Sequence, residues 1–422
     1  MDPVQEDSKS RNFVLTAQAL HAALPKMAMA TRAIHADDFA SPHRAIAPPM
    51  QVAVNYRYHR DPEQLVPMEN KDLIGGKPQH NAPFDSHIYS RYTAPNSTRF
   101  ETVLHNLFGG AGCVTYASGL ASFHAIMVLL TPKRIFLGEG YHGIHRSITL
   151  QHRVTGVEQL TLDDLGQLGP GDLLHIETPQ NPTGEARNLE YYVAIARKAG
   201  AYVSVDATFA PPPLQDPLQF GVDIVMHSGT KYIGGHSDML CGVLVVSKHR
   251  QEWMETLYQD RRVMGSVMGS FEGWLGIRSL RTLHLRVIKQ SQTAEKLVTW
   301  LHEELKSPES LVGKMVDRVQ HASLQEADLN DGWLSRQMPG GFGPVFSIWM
   351  KREEHAQRLP SRLFIFQHAT SLGGVESLME WRAMSDKGRD PRLMRVSCGV
   401  EDVEDMKQDI LQAFESLSRD FP

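Results

Sequence analysis

The sequence predicts an α/β protein in which a mostly parallel sheet follows an extended N-terminal arm and precedes a smaller α+β domain. Three observations carry this reading. From about residue 100 to 247, short apolar runs alternate with helical patterns, the signature of strands joined by crossover helices. Beyond residue 276 the alternation stops and one long helical stretch leads into isolated strand-like runs. Before residue 86 neither pattern holds. The expected organisation is an arm over 1–85, a large domain over 86–277 and a C-terminal domain over 278–422, since 422 residues exceed what one core usually holds.

Taken in order, the arm opens with a helical piece around 13–30 and continues through the Pro- and His-bearing run SPHRAIAPPM and a polar stretch over 62–83. Such a segment cannot bury itself, so it is expected to dock on something else, a neighbouring subunit being the candidate. Strands are predicted at 113–116, 134–137, 173–177, 202–206, 224–227 and 242–246. The apolar helical face of 191–198 ends at Gly200, a suitable C-terminal cap. A helix over 280–305, strands at 345–348 and 393–397 and an amphipathic helix over 401–417 complete the chain.

Composition narrows the function. Hydrophobic residues make up 41% and charged residues 22%, an ordinary folded balance. A formal charge of -5 and scattered histidines offer no basic stripe, so nucleic acid is not an expected partner. No apolar run approaches the roughly 18 residues a membrane span requires, and the polar start MDPVQEDSKS lacks a secretory pattern. A cytoplasmic location is expected. Cys113, Cys241 and Cys398 form no CxxC pair and read as buried core thiols.

Ligands of open α/β sheets bind where strands end, so the polar residues there are the candidates. Ser118 follows the first strand and opens a helix, a place for an anion or simply an N-cap. Asp206 closes the strand at 202–206, either capping a turn or standing ready to keep a pyridine nitrogen protonated. Lys231 sits in Ser-Gly-Thr-Lys-Tyr directly after a buried strand, where its ammonium would be partly desolvated and its pKa lowered. Ser228-x-x-Lys231 also has the SxxK spacing of serine acyl-transferases, but it follows a strand instead of opening a helix, and SDN and KTG are missing. His142 and His145 have HxxH spacing without a third ligand, so they are read as surface histidines and no metal is expected.

The run VDATFAPPPLQDPLQFGVDIVMHSGTKYIGGHSDMLCGV resembles the cofactor-lysine region of the Cys/Met metabolism enzymes that use pyridoxal 5′-phosphate (PLP), and the likeness runs from about residue 35 to 417. That family holds cystathionine γ-synthase and γ-lyase, methionine γ-lyase and the O-acetylhomoserine sulfhydrylases. The resemblance implies fold type I of the PLP-dependent transferases, with a seven-stranded sheet. Lys231 would carry the cofactor and shuttle protons, and Asp206 would pair with the ring nitrogen. Tyr141, in GEGYHGIHR, would stack on the ring and assist proton transfer. Ser118, Gly119, Leu120, Ser228 and Thr230 would hold the phosphate, with Asn181, in ETPQNPTG, at the ring hydroxyl and Thr208 also at the cofactor. Tyr89 and Arg91, in YSRYTAPNST, match the pair that reaches a neighbour's phosphate, which implies a homo-oligomer with shared sites, a dimer usually built into a tetramer. Ser371, in SLGGVESL, and Arg395, in LMRVSCGVED, match residues that grip the α-carboxylate of an amino-acid substrate.

Departures from the family pattern shape the expected reaction. Ala94 and Ala207 stand where the family has Asn, Gly143 replaces the methionine γ-lyase cysteine, and Thr370 stands where cystathionine enzymes place a Glu that meets the amino group of cysteine. The segment 51–58 replaces a threonine-rich entry. The resemblance therefore implies γ-replacement on an O-activated homoserine, such as O-acetyl-L-homoserine, through a vinylglycine-type electrophile. A carbon, amine or sulfur nucleophile then adds at Cγ, as in a fungal natural-product branch of the family. Sulfhydrylation and cystathionine synthesis or lysis are the alternatives.

Overall fold

The computed structural model describes residues 16–40, 45–66, 87–386 and 388–421. Seven strands form the main sheet: β1 (Gly112–Tyr116), β2 (Arg134–Leu137), β3 (Glu158–Leu160), β4 (Leu173–Glu177), β5 (Tyr202–Asp206), β6 (Ile224–Ser228) and β7 (Gly242–Val246), in the order β1-β7-β6-β5-β4-β2-β3. The pairs from β6 to β3 are parallel, and β7 runs antiparallel between β6 and β1. β7 needs no crossover, because the Lys231 turn returns the chain directly alongside β6. Near-continuous burial of β1, β4, β5 and β7 reflects helices on both faces of the sheet.

Four antiparallel strands, β8 (Val316–Gln320), β9 (Val345–Met350), β10 (Leu378–Trp381) and β11 (Leu393–Ser397), form the smaller sheet in the order β10-β11-β9-β8. Three strands escape the apolar-run criterion for physical reasons. β3 has three residues and little burial, β8 is an edge strand with exposed Asp317 and Arg318, and β10 hides a buried charge, Glu380, in its middle.

The helices appear in chain order as α1 (Ala17–Ala23), α2 (Met29–His35), α3 (Pro95–Phe108), α4 (Gly119–Leu130), α5 (His142–Thr155), α6 (Leu189–Ala199), α7 (Trp253–Met264), α8 (Ser270–Leu280) and α9 (Leu283–Leu305). α6 ends on Gly200 in the left-handed conformation, as its sequence requires. The helix expected over 280–305 is α9, which starts at Leu283 because Thr282 leaves helical geometry and separates it from α8. α9 joins two cores. Its Leu283 and Val287 pack with the main-sheet core, while Ala294, Leu297, Val298 and Leu301 pack with the small sheet and the C-terminal helix Val403–Asp420. Each fully buried Leu or Val contributes about 1.5–3 kcal/mol. The three cysteines are buried and free, and among the described residues no helix is long and apolar enough to cross a membrane.

The arm corrects two expectations. Its helical start is not one helix: the part before residue 16 lies outside the described residues, and Pro25 turns the chain through a 3₁₀ turn between α1 and α2. Nor does this part need another subunit to dock on. Leu20, Leu24 and Ala33 join the main core, and buried Asp37 pairs with Arg99 of α3 at 2.5 Å. Further on, Pro48 O accepts from the Trp274 indole at 2.8 Å, while Val52, Val54 and Tyr58 remain exposed. The polar stretch over 67–83 lies outside the described residues.

The Asp37–Arg99 pair makes the first prediction. Asp37→Asn leaves a guanidinium buried without its counter-charge, at a cost of about 3 kcal/mol. The variant should melt several degrees below the parent in a thermal scan; an unchanged melting temperature would show that the arm's docking does not depend on this pair.

Candidate active site

The carboxyl ends of β4, β5 and β6, the start of α4 and the loop before β10 enclose one cavity of about 450 Å³. Its walls bring together Ser118, Gly119, Leu120, Tyr141, Asn181, Asp206, Thr208, Ser228, Thr230, Lys231, Thr370, Ser371 and Arg395, residues spread over nearly 280 positions. Tyr89 and Arg91 do not line it. They sit beside the bridge between Asn55 and Tyr89, where the Arg91 guanidinium lies 5.3 Å from the Tyr89 ring centroid and donates to Arg262 O at 3.4 Å.

Local sequence explains how each group is held. Ser118 has extended backbone and caps α4, its hydroxyl accepting from Ala121 N at 3.2 Å. The Asp206 carboxylate accepts from Thr208 N at 3.0 Å and from the Thr208 hydroxyl at 2.5 Å. That hydroxyl in turn accepts from Ser228 N at 2.8 Å, knitting the ends of β5 and β6. Behind β6 the chain coils tightly: Lys231 N bonds Ser228 O at 3.0 Å and Gly235 N bonds Lys231 O at 2.7 Å. The Thr230 hydroxyl accepts from Cys241 N at 3.0 Å, fixing the coil to the strand that follows. Lys231 Nζ then reaches across the cavity to donate to Ser371 Oγ at 2.6 Å. Gly373, at φ +92°, allows this approach, since a Cβ there would lie 2.7 Å from the Lys231 carbonyl carbon.

Electrostatics follow from burial. Glu177 and Asp206 are directly opposed on the parallel strands β4 and β5, so two carboxylates share a dry floor. Burial, and then the Asp206 charge, push the Glu177 carboxyl up to about 8. Burial also raises Asp206, to about 6, against the opposing hydrogen bonds of Thr208 and the charge of Lys231. Desolvation, aided by Arg395, pulls the Lys231 amine down to about 8. Arg395 lies in the middle of β11 and is pulled down to about 10 by burial; it donates to Asn181 Oδ1 at 3.0 Å and pairs with Glu380 Oε2 at 2.5 Å across the β10–β11 ladder.

Tyr141 stands at the mouth. Its backbone N donates to Glu177 Oε2 at 2.8 Å, and its ring covers Gly143, where a Cβ would meet ring carbon Cε1 at 2.4 Å. The two HxxH histidines need correction: His142 and His145 are half-buried, and His142 lines the cavity instead of facing solvent. Residues not singled out from the sequence also belong here. Glu177 ends an apolar strand as Asp206 does, so the same strand-end signal could have found it. Glu380 and Arg382 carry no such signal, because β10 shows no apolar run.

This donor set fits PLP. A neutralisable amine, a buried carboxylate opposite it, and hydroxyls beside the amides that open α4 match the aldehyde, ring nitrogen and phosphate of that molecule. Comparison with known proteins agrees. The family described as Cys/Met metabolism PLP-dependent enzyme matches residues 30–415. Cystathionine gamma-lyase of Bacillus subtilis is 32% identical over 78% of this chain and 89% of its own. A second B. subtilis protein, cystathionine gamma-synthase/O-acetylhomoserine (thiol)-lyase, is 30% identical over 77% and 85%. The crystal structure of metB from Corynebacterium glutamicum superposes with a TM-score of 0.79 at 28% identity, covering 93% of this chain and 99% of that one. The sheet order, the lysine-bearing cavity and these likenesses lead to one conclusion: this chain is an enzyme of the Cys/Met metabolism PLP-dependent family, and its cofactor is pyridoxal 5′-phosphate.

Proposed function

We propose that the enzyme replaces the γ-substituent of an O-activated homoserine, O-acetyl-L-homoserine first among them, with a nucleophile other than cysteine. The observation that carries this is the chemistry around the Lys231 amine: Ser371 and Thr370 on its outer side are uncharged, and the carboxylates lining the cavity, Glu177 and Asp206, lie on its floor. Among the described residues no lining carboxylate waits at the mouth for the ammonium of cysteine. Gly143, covered by Tyr141, leaves no room for the thiol that methionine γ-lyases carry there.

When bound, PLP supplies an electron sink for negative charge at the substrate's Cα and Cβ. The residues around it would do the rest. Lys231 would bind the cofactor covalently, and its Nζ, once free, would move the Cα proton and then a Cβ proton. Ser371 positions that amine through the 2.6 Å bond. Asp206 would hold the proton on the ring nitrogen, with Asn181 at the ring hydroxyl and Thr208 fixing Asp206. Ser118, Gly119, Leu120, Ser228 and Thr230 would take the phosphate at the start of α4. Tyr141 would cover the ring and aid proton transfer. Arg395 and Ser371 would hold the α-carboxylate, for which the Arg395 fork is suited. Across the reaction the Cγ–O bond breaks, the nucleophile–Cγ bond forms, and acetate leaves with the nucleophile's proton as acetic acid. Tyr89 and Arg91, outside their own cavity, would complete a neighbour's phosphate site in a dimer, itself half of a tetramer. The domain division at 86 and 278 accompanies this reading, the small sheet carrying Arg395 to the cavity.

Three outcomes test the proposal. The nucleophilic amine is the neutral form, which grows as pH rises through the pKa. Capture of PLP by apoenzyme, followed by visible absorbance, should therefore accelerate up to about pH 8 and level off just above it, not above the ordinary lysine value of 10.5. Lys231→Ala should show no such absorbance and no turnover; an intact band in that variant would remove Lys231 from the role.

For the shared site, Arg91→Ala should weaken PLP binding without matching loss of fold. Mixing it with Lys231→Ala should restore part of the activity, since a mixed dimer holds one intact site. Mixed oligomers that form yet stay inactive would place Arg91 elsewhere.

Offered cysteine and a β-keto acid at equal concentration, the enzyme should consume O-acetylhomoserine chiefly with the keto acid. Thr370→Glu should move the ratio towards cysteine by about tenfold or more, the worth of a charge-assisted hydrogen bond. Cystathionine as the main product of the parent enzyme would overturn the choice of nucleophile.

A further inference from the structure

Arg382 follows β10 and lines the cavity, yet only 3% of it is exposed. A guanidinium has five N–H donors. Among the described residues this one makes a single hydrogen bond, from Nη1 to Glu380 Oε2 at 3.1 Å, and its buried Nε has no partner. The same Glu380 oxygen is held more closely by Arg395, at 2.5 Å, and the other Glu380 oxygen accepts from Ser385 Oγ at 2.6 Å. Asp386 approaches Arg382 only to 3.9 Å and is bonded by Arg389 at 3.2 Å. One carboxylate thus serves two buried guanidiniums, and the one nearer to it is the one the amino-acid substrate requires.

His142 lines the same cavity, and its Nδ1 is likewise buried without a partner. Burial, and then the Arg382 charge, lower the pKa of its ring. Two polar groups with unused bonding capacity in one cavity are costly unless something completes them, because a buried polar atom without a partner forfeits a hydrogen bond. A planar carboxylate matches a guanidinium fork in both shape and charge.

We propose that Arg382, with His142 lining the same cavity, forms a second carboxylate subsite that takes the acid group of the incoming nucleophile. This rests on the γ-replacement reading and narrows it to an anionic carbon acid of the β-keto acid class. The α-carboxylate goes to Arg395 and the nucleophile's carboxylate to Arg382, so the two anions are sorted by the two guanidiniums that share Glu380.

The test uses holoenzyme and O-acetyl-L-homoserine with acetoacetate or its neutral methyl ester. The parent enzyme should favour acetoacetate in kcat/KM by about 10- to 100-fold, the range of a hydrogen-bonded charge pair. In Arg382→Gln that preference should fall to about one, and Arg382→Lys should retain part of it. Equal use of ester and acid by the parent overturns the subsite, and this arm needs no variant to fold. O-Succinyl-L-homoserine is the control for the other possible source of a distal carboxylate, the acyl leaving group. A loss in Arg382→Gln that follows succinyl against acetyl donors, with the keto-acid preference intact, also overturns it. If no nucleophile replaces the γ-substituent at all, the γ-replacement reading falls by itself. Acetoacetate titrated calorimetrically into holoenzyme saturated with L-homoserine then decides the subsite: binding weakened tenfold or more in Arg382→Gln supports it, and equal binding ends it.

Discussion

Two carboxylates forced side by side on the floor of the cavity are the constraint from which the rest of the site follows. Glu177 and Asp206 end adjacent parallel strands in register, away from water, and burial disfavours charge on both. The structure answers by dividing their work. Glu177 accepts the backbone N–H of Tyr141 and of Asn181, so it organises two loops. Asp206 is gripped twice by Thr208 and faces Lys231, so it is the one placed to meet a cation. A protonated ring nitrogen beside Asp206 would relieve the cost of its burial, and the binding of PLP and the order of this floor thus support each other.

The second level is the delivery of cations from the small sheet. Arg395 sits mid-strand in β11, directly opposite Glu380 in β10, an arrangement that makes a buried charge tolerable by pairing it across a ladder. Because α9 packs against both cores, this pair reaches the rim of the main sheet on paired strands, not on a loop. Its contact with Asn181 joins the two sheets through a single hydrogen bond at the cavity. Ser371 and Gly373 come from the loop just before β10 and close over Lys231, so the substrate-facing wall and the cofactor-bearing turn are in direct contact.

The proposed selectivity rests on what that wall offers. Among the described residues, Thr370, Ser371 and the covered Gly143 bring neither an acid nor a thiol to the mouth, while Arg382 and His142 add unused hydrogen-bonding capacity to the same cavity. An uncharged mouth in a cavity with a spare guanidinium is the physical basis of the proposed preference for a nucleophile that brings an anion over one that brings an ammonium.

How much of this was legible in the sequence depends on how local the signal is. The strands β1, β2, β4, β5, β6 and β7 announce themselves as buried apolar runs, and Asp206 and Lys231 stand directly at their ends, so strand position and chemistry could be read together. The motifs around Tyr141, Asn181, Ser371 and Arg395 were long enough to resemble a family residue by residue, and the structure gathers all four into one cavity. The arm's docking on α3 was not legible, because an ion pair between Asp37 and Arg99 has no periodic trace. Nor was β10, since a strand that hides Glu380 between apolar neighbours looks like loop until β11 supplies its counter-charge. Local periodicity and strand-end chemistry are properties of neighbouring residues, so the sequence by itself determined six strands of the main sheet and the candidate lysine and acid beyond their ends. The pairing of charges from distant segments has meaning only once the chain is folded, so the tertiary structure alone decided which guanidiniums Glu380 serves and which of them keeps hydrogen bonds to give.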